Sequence, residues 1–455
     1  MGDVLRSVGL DVGTTSTQLI FSELTVENRA GCFSVPELEI GERKILYKSP
    51  VHFTPLLSGE LVDGEALRRL VTAEYEAAGI TRDSVDTGAV IITGETSRKE
   101  NAETVLRELS GFAGDFVVAT AGADLESVLA ARGSGAVALS GETGKTILHM
   151  DIGGGTSNLC LIRDGEIAAT GCLNVGGRLI KFDENRMVTY VSPVLENLCE
   201  IRVGDSVTQA PLEAVADTLV QALEMAAGLR DRGTLLDRLT TPGTHMEPPE
   251  DPVTLSFSGG VADCIATDHP WQRFGDLGPI LGRVIRRSRL CRGAYALGRE
   301  TIRATVIGAG CHSAQLSGST VFHRNMQFPL KNLPVVHIPE KLQSAPELAP
   351  FLRKEFAKQE STPVIALPGL RRLDYRSLKV LAEALAAVKI PGPMLLCLEQ
   401  DMAKALGQLL ALLLPPEKPI LCIDRIRLTE GSYLDVGAPM GPALPVVVKT
   451  LILNR

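Results

Sequence analysis

Apolar residues along this chain fall into short runs of strand length bounded by glycine turns, and into longer stretches with helical spacing. "SVGLDVG" and "TQLIFSEL" predict a first hairpin, and "GAVIITGE" predicts a buried strand. "SRKENAETVLREL" predicts a helix, with Ser97 and Glu100 at the spacing of a capping box. "FVVATAG" predicts another strand, and "DLESVLAARGSGAVAL" a helix carrying small residues. "KTILHMDIGGG" then opens a second strand–bend unit, and "LCLIRDGEIAATGCLNVGG" follows as a meander turning at Asp164–Gly165. "PLEAVADTLVQALEMAAGL" has a strong helical period, "TPGTHMEPPEDP" is a proline-rich loop, and "VTLSFSGGVADCI" is a strand entering a glycine turn. Beyond about residue 300, "IRATVIGAGCHSAQLSGSTVF" predicts a strand, a glycine turn and another strand. The remainder alternates strand and helix through "TPVIALPG", "GPMLLCLEQD", "PILCIDRIRL" and "PVVVKTLIL", a smaller α/β unit.

One pattern occurs twice. "LDVGTTSTQLIF" (10–21) and "MDIGGGTSNLCL" (150–161) align at an offset of 140 residues, pairing Asp11 with Asp151, Gly13 with Gly153, and Ser16 with Thr156. A repeat this long suggests two related domains, because solenoid periods are far shorter. Taken singly, either stretch suits an ordinary tight hairpin. As a pair they suit a polyphosphate: bare backbone N–H groups cradle anionic oxygens, and an aspartate offers a hard oxygen to Mg²⁺. "SFSGGVAD" (256–263) places Gly259 and Gly260 after a strand, where they suit either a nucleoside face or a plain strand-to-helix turn. "GAG" at 308–310 competes for the nucleoside role. Glu95 and Glu126 are acids beside the expected cleft, each suited to orienting a water, although Glu95 also suits a helix-start charge. "GETGKT" (141–146) does not qualify as a phosphate loop, because Leu139 stands where its first glycine belongs and the segment precedes a strand. It suits a solvent turn. The histidines lack metal-ligand spacing.

Bulk properties narrow the classes. The chain has 455 residues, 45% hydrophobic and 22% charged, with formal net charge −8 and pI about 5.6. That balance offers no basic face to nucleic acid, and the arginines of "LGRVIRRSRLCRG" suit a solvated helix face. Nine cysteines without ligand spacing suit reduced thiols and a cytoplasmic setting. The start of the chain shows no signal-peptide pattern, and the apolar run near "KALGQLLALLLPP" is too short to span a bilayer.

In the order of these pieces, the chain resembles the ATPase superfamily of actin, sugar kinases and the seventy-kilodalton heat-shock chaperones. "LDVGTTSTQL" and "MDIGGGTSNL" look like its two phosphate motifs, "ESVLAARGSGAVAL" like its first connecting helix, and "LSFSGGVAD" like its adenosine motif. The fold this implies is an α/β, actin-like ATPase with two duplicated ribonuclease-H-like lobes (1–140 and 141–300). A third segment (301–455) would finish the second lobe and add the C-terminal α/β unit. "ITGETSRKENA", "FGDLGPILGRVI", "IRATVIGAG" and "LPVVVKTL" extend the resemblance to the ethanolamine ammonia-lyase reactivating factors of bacterial ethanolamine utilisation. That resemblance implies a chaperone-like ATPase using ATP and Mg²⁺ to release damaged cobalamin from the lyase; a homodimer is one form open to such a chain. It would work in the cytoplasm, with a bacterial microcompartment as one setting. By the same resemblance Asp11 and Asp151 are catalytic, metal-associated acids, and Glu126 helps to place water. Gly13, Thr14, Thr15, Gly153, Gly154, Gly155 and Thr156 would contact phosphates, and Gly259 and Gly260 the nucleoside. The lysine that heat-shock chaperones hold near the γ-phosphate has no clear counterpart. Two rivals share the core: a small-molecule kinase and a filament-forming, actin-like scaffold.

Overall fold

Val4–Val12 (β1) and Ser16–Asn28 (β2) pair antiparallel in a computed structural model of the chain, with Asp11 opposite Gln18. The structure describes residues 4–13, 16–28, 38–58, 61–93, 117–120, 123–312, 314–316, 321–339, 342, 347–356, 362–370, 374–388, 390–426, 428, 432–437, 439 and 444–450. Thr14, Thr15, Glu95 and the helix expected over 97–109 lie outside them.

Leu38–Lys48 (β3) pairs with β2, His52–Phe53 (β4) lies beside the start of β2, and Leu56–Ser58 (β5) with Leu61–Val62 (β6) forms a short ribbon. Thr87–Ile92 (β7) and Val117–Thr120 (β8) add in parallel beyond β1, giving the order β3-β2-β1-β7-β8. All of β7 is buried, as a parallel interior strand covered on both faces requires. One face packs on Gly64–Ala78 (α1), which starts where the Asp63 carboxylate accepts from the Ala66 N–H and stops at Gly79 in the left-handed region (φ 65°). Leu67, Val71 and Tyr75, four residues apart, meet Val8, Leu10, Leu19 and Phe21 there. Each such buried side chain contributes roughly 1.5–3 kcal/mol relative to exposure. Ile20 and Leu24 alternate to the opposite face.

Beyond β8 the expected single helix is two: Ala123–Gly133 (α2) and Ala136–Thr143 (α3). Gly135 between them has φ 86°, which a continuous right-handed helix cannot contain. The segment 141–143, expected as solvent turn, closes α3, and Gly144 caps it. Ile147–Ile152 (β9), Ser157–Arg163 (β10) and Glu166–Leu173 (β11) form the meander, with Asp164 (φ 50°) and Gly165 (φ 77°) in the paired left-handed turn that suits a twisted hairpin. Ile180–Phe182 (β12) and Val188–Val191 (β13) make a side ribbon. Thr254–Ser258 (β14) and Tyr295–Leu297 (β15) add in parallel beyond β9, so the second sheet runs β11-β10-β9-β14-β15. Strand order and directions match the first sheet. Gln209–Ala226 (α4), Thr234–Leu239 (α5), Gly260–Ala266 (α6) and Gly278–Arg287 (α7) belong to this half, and their apolar faces share one core with β9 and β10.

The strand–turn–strand expected from 302 is corrected: Ala304–His312 is a helix (α8). Its β-branched Thr305, Val306 and Ile307 carry strand propensity and its glycines suit a turn, but tertiary packing overrides both. Val306, Ile307 and Ala309 pack with Leu129 of α2 and with Ile20 and Leu24 of the first sheet. The crossing is close enough that a Cβ on Gly308 would lie 2.0 Å from the Leu129 carbonyl oxygen, and one on Gly133 1.9 Å from that of Ala304. The two helices are exchanged. α2 leaves the first sheet and places Ala131 on the second, while α8 leaves the second half and covers the first.

After α8, Ala314–Leu316 (β16), Phe322–Arg324 (β17), Leu330–His337 (β18), Val364–Leu367 (β19), Met394–Leu398 (β20), Ile420–Ile423 (β21), Ser432–Val436 (β22) and Pro445–Thr450 (β23) form a third sheet. Its order is β16-β23-β22-β18-β19-β20-β21-β17, with β18 to β21 parallel. Leu348–Phe356 (α9), Tyr375–Ala386 (α10) and Ala403–Leu413 (α11) cover one face of β19 to β21, and the side chains of the other face cluster with Ile426, Leu428, Leu434 of β22 and Val446 of β23. This is the α/β alternation expected of the last segment.

Candidate functional site

The two bends are built alike. Gly13 N–H donates to the Ser16 carbonyl at 2.9 Å, and Gly153 N–H donates to the Thr156 carbonyl at 2.9 Å. Among the described residues, nothing accepts from the backbone N–H groups of Gly154, Gly155 or Thr156, which leaves three donors at this bend for a ligand or water. The first bend is braced by the Thr54 hydroxyl, which donates to the Gly13 carbonyl at 2.7 Å.

Each aspartate stands opposite a carboxamide across its hairpin: Asp11 faces Gln18, and Asp151 faces Asn158. Gln18 Nε2 donates to the Ile302 carbonyl just before α8 (3.1 Å), and Asn158 Nδ2 donates to Glu126 Oε2 on α2 (2.8 Å). Their oxygens, Gln18 Oε1 and Asn158 Oδ1, are buried and accept from no described residue. A buried acceptor left unmet is costly unless a donor arrives.

The carboxylates are themselves held. Thr93, which follows β7, donates to Asp11 Oδ1 at 2.9 Å. Ser258, at the end of β14, donates to Asp151 Oδ1, and the Thr305 hydroxyl of α8 to Oδ2 at 3.4 Å. Behind Ser258, the fully buried His149 ring bridges Ser258 Oγ at 2.9 Å and Ser256 Oγ at 3.1 Å. Because Ser258 spends its proton on Asp151, His149 donates through Nε2–H and accepts from Ser256 at Nδ1. Burial pushes His149 down to about 3, so the ring is neutral.

Desolvation dominates both acids. It raises Asp11 to about 7, against the Thr93 hydrogen bond that pulls it down, and the charge of Asp151 adds to the rise. Asp151 is raised to about 6 by burial, opposed by Ser258 and Thr305. Two buried carboxylates, the charge of Asp151 raising Asp11, each with an unmet amide oxygen on the facing strand, form an acceptor-rich lining suited to a hydrated divalent cation, whose waters are donors. No group of three or more His, Cys, Asp or Glu side chains able to hold a metal occurs among the described residues. Such an ion would therefore rely on water and ligand oxygens as well as on Asp11 and Asp151.

The remaining expected residues separate. Glu126 is buried beside Asn158. Gly259 (φ 87°) is pressed against the end of β9, where a Cβ would lie 2.3 Å from the Ile152 carbonyl, and Gly260 opens α6. The glycines at 308–310 lie in α8 and pack on α2 and Gly9, a helix-crossing role. Sequence reasoning missed Thr93, Ser258, Thr305 and His149. It also passed over Arg178, whose amide donates to the Gly154 carbonyl at 2.7 Å and whose stem lies across Gly154.

Two sheets of one strand order, each ending in an aspartate–glycine bend and linked by exchanged helices, define an actin-like ATPase fold. Within that class, a family model described as "Ethanolamine utilisation protein EutA" matches residues 3–454, and the chain belongs to this family. It is 39% identical to the ethanolamine ammonia-lyase reactivase EutA of Salmonella typhimurium and 38% identical to that of Escherichia coli. Each match covers 98% of this chain and 98% of the relative. Among solved structures, ethanolamine utilization protein EutJ from Carboxydothermus hydrogenoformans matches at 17% identity, with a TM-score of 0.34 over 67% of this chain and 88% of the other.

Proposed function

We propose that this chain is an ATP-dependent reactivating chaperone that releases damaged cobalamin from inactivated ethanolamine ammonia-lyase, so that intact adenosylcobalamin can enter. The near full-length relatives named as ethanolamine ammonia-lyase reactivases carry the reading, and the paired acidic bends supply a matching nucleotide site. In it, the lobes are 1–140 and 141–300, with 301–455 completing the second and adding the C-terminal unit. Asp11 and Asp151 hold the metal side of a magnesium nucleotide. Gly13, Thr14, Thr15 and Gly153 to Thr156 line the phosphates: the N–H groups of Gly13 and Gly153 close the two bends, and the remaining backbone N–H groups meet the anionic oxygens, while Gly259 and Gly260 lie along the nucleoside. Mg²⁺, when bound, neutralises phosphate charge. Glu126 orients the attacking water, held in place through Asn158. Exchanged helices couple the lobes, so nucleotide-dependent closure becomes a hinge motion felt by the client. The setting would be cytoplasmic, with or without a microcompartment, and the active form a monomer or homodimer. Among the described residues no helix is long and apolar enough to cross a membrane.

The test is reconstitution. Lyase inactivated with hydroxocobalamin should regain activity with adenosylcobalamin, this protein, ATP and Mg²⁺, but not with a non-hydrolysable analogue. Recovery no greater than without the protein would refute the client. Wild-type ATP turnover in both Asp11→Ala and Asp151→Ala would refute the paired-bend site.

A further inference from the structure

Resting on the nucleotide reading above, we propose that Arg178 is the cation that binds the polyphosphate of the nucleotide at the second bend. The segment Gly176 to Arg178 runs along the bend, with Gly177 N–H donating to the Gly153 carbonyl at 3.0 Å and Arg178 N–H to the Gly154 carbonyl at 2.7 Å. Gly176 permits this approach, because a Cβ there would lie 2.3 Å from the Gly154 oxygen. A Cβ on Gly154 would meet Arg178 Cδ at 3.4 Å and Cβ and Cγ at 3.6 Å, so the aliphatic stem lies against the turn itself.

The guanidinium is aimed from one side. Its Nε donates to Asp276 Oδ2 at 3.2 Å, and Asp276 Oδ1 accepts from Gly278 N–H at 2.9 Å at the start of α7. The Asp276 side chain is 8% exposed and that of Arg178 31%, so the anchor is buried while the fork reaches solvent. Neither Nη group has a partner among the described residues. A planar fork held at Nε presents its remaining N–H groups as a fixed pair, the geometry that matches phosphate oxygens. The same bend leaves the N–H groups of Gly154, Gly155 and Thr156 unpartnered, so side-chain cation and backbone donors converge on one anion. Arg178 would thus supply a positive charge that no lysine in the phosphate motifs provides.

A purely structural ion pair would clamp α7 to the bend and be indifferent to how many phosphates a ligand carries. Titration calorimetry with Mg²⁺ compares adenosine, AMP, ADP and ATP on wild type, Arg178→Gln and Arg178→Lys. Gln keeps much of the stem and removes the charge, and Lys restores charge without the fork. We expect Arg178→Gln to weaken ADP and ATP about 10- to 100-fold, the scale of a charged hydrogen bond, with adenosine and AMP within about twofold and Lys in between. Equal ATP affinity in wild type and Arg178→Gln, or an equal loss for all four ligands, would overturn the proposal. A wild-type protein that binds none of them would overturn the nucleotide reading and this inference with it. Independently of any variant, phenylglyoxal labelling of Arg178 in the wild-type chain, followed by peptide mass, should be slowed by Mg·ADP and not by adenosine. Equal labelling under both conditions would overturn the proposal.

Discussion

On the proposed reading Asp11 and Asp151 must both be ionised to face a metal nucleotide, yet burial holds them at about 7 and about 6. Protons therefore compete with the ligand across the neutral range. At about pH 5 that competition amounts to roughly a hundredfold from Asp11 and tenfold from Asp151, and it vanishes by about pH 8. The two carboxyls interact, so the release is read as two steps of the pair. The assay is Mg·ADP affinity by calorimetry from about pH 5.5 to 8, in buffers of different ionisation enthalpy, for wild type and Asp11→Asn. Subtracting the variant cancels the titration of the nucleotide itself. Wild type should gain affinity steeply with pH and release protons on binding, and Asp11→Asn should lose the upper step. Stability without ligand should move the opposite way. Both carboxyls sit above their ordinary 3.8, so the folded chain binds protons more tightly than the unfolded one, and these groups cost stability as pH rises from about 4 through 6 and 7. Asp11 keeps part of its surface in solvent, which makes affinity, rather than melting energy, the quantity to follow. An affinity difference between wild type and Asp11→Asn that stays flat with pH would refute the reasoning.

Gly308→Ala places a methyl 2.0 Å from the Leu129 carbonyl, so α2 and α8 must separate; overpacking of this kind costs roughly 1–3 kcal/mol, and the melting temperature should drop by several degrees. An unchanged melting temperature would mean that the crossing yields freely. Glu126→Gln can still accept from Asn158, so nucleotide affinity should hold within about twofold while single-turnover ATP hydrolysis falls roughly a hundredfold; equal hydrolysis would remove Glu126 from water placement. Asp63→Ala deletes the cap on Ala66 N–H and should cost about 1 kcal/mol, seen as a lower denaturant midpoint with nucleotide affinity retained.

Much of the fold was legible because strands and bends are local signals. Two aspartate–glycine bends at a fixed offset pointed to two sheets of one plan, and the sheets share their strand order. α1 was passed over although Asp63 before the first turn and Gly79 after the last are ordinary start and stop signals. α8 was misread because Val306 and Ile307 look like strand and the glycines like a turn until one knows that α2 crosses there. The partners of the acids were hidden for a different reason. Thr93 lies 82 residues from Asp11, and Ser258 lies 107 from Asp151; each arrives through parallel pairing, with β7 or with β14. Only the register of those strands brings the hydroxyl to the carboxylate, and register is a tertiary fact. Arg178 was missed likewise, because "NVGGRL" carries no phosphate signature until its backbone is seen bonded to Gly153 and Gly154.

The exchanged helices explain why both acids should respond to a movement of either half. α2 carries Glu126 to Asn158, opposite Asp151, and the segment entering α8 carries Ile302 to Gln18, opposite Asp11. Thr305 of α8 also reaches Asp151, so that one connection touches the acid of the second bend and the carboxamide opposite the acid of the first. Where α2 and α8 cross, the backbones are in contact through Gly133 and Gly308, leaving no side-chain cushion to absorb sliding. A relative motion of the sheets would turn about this crossing and strain the bonds that cross between the halves, those of Gln18 to Ile302, Asn158 to Glu126 and Thr305 to Asp151. On the proposed reading, nucleotide binding and lobe geometry would share those few hydrogen bonds, and phosphate occupancy would be converted into movement through them.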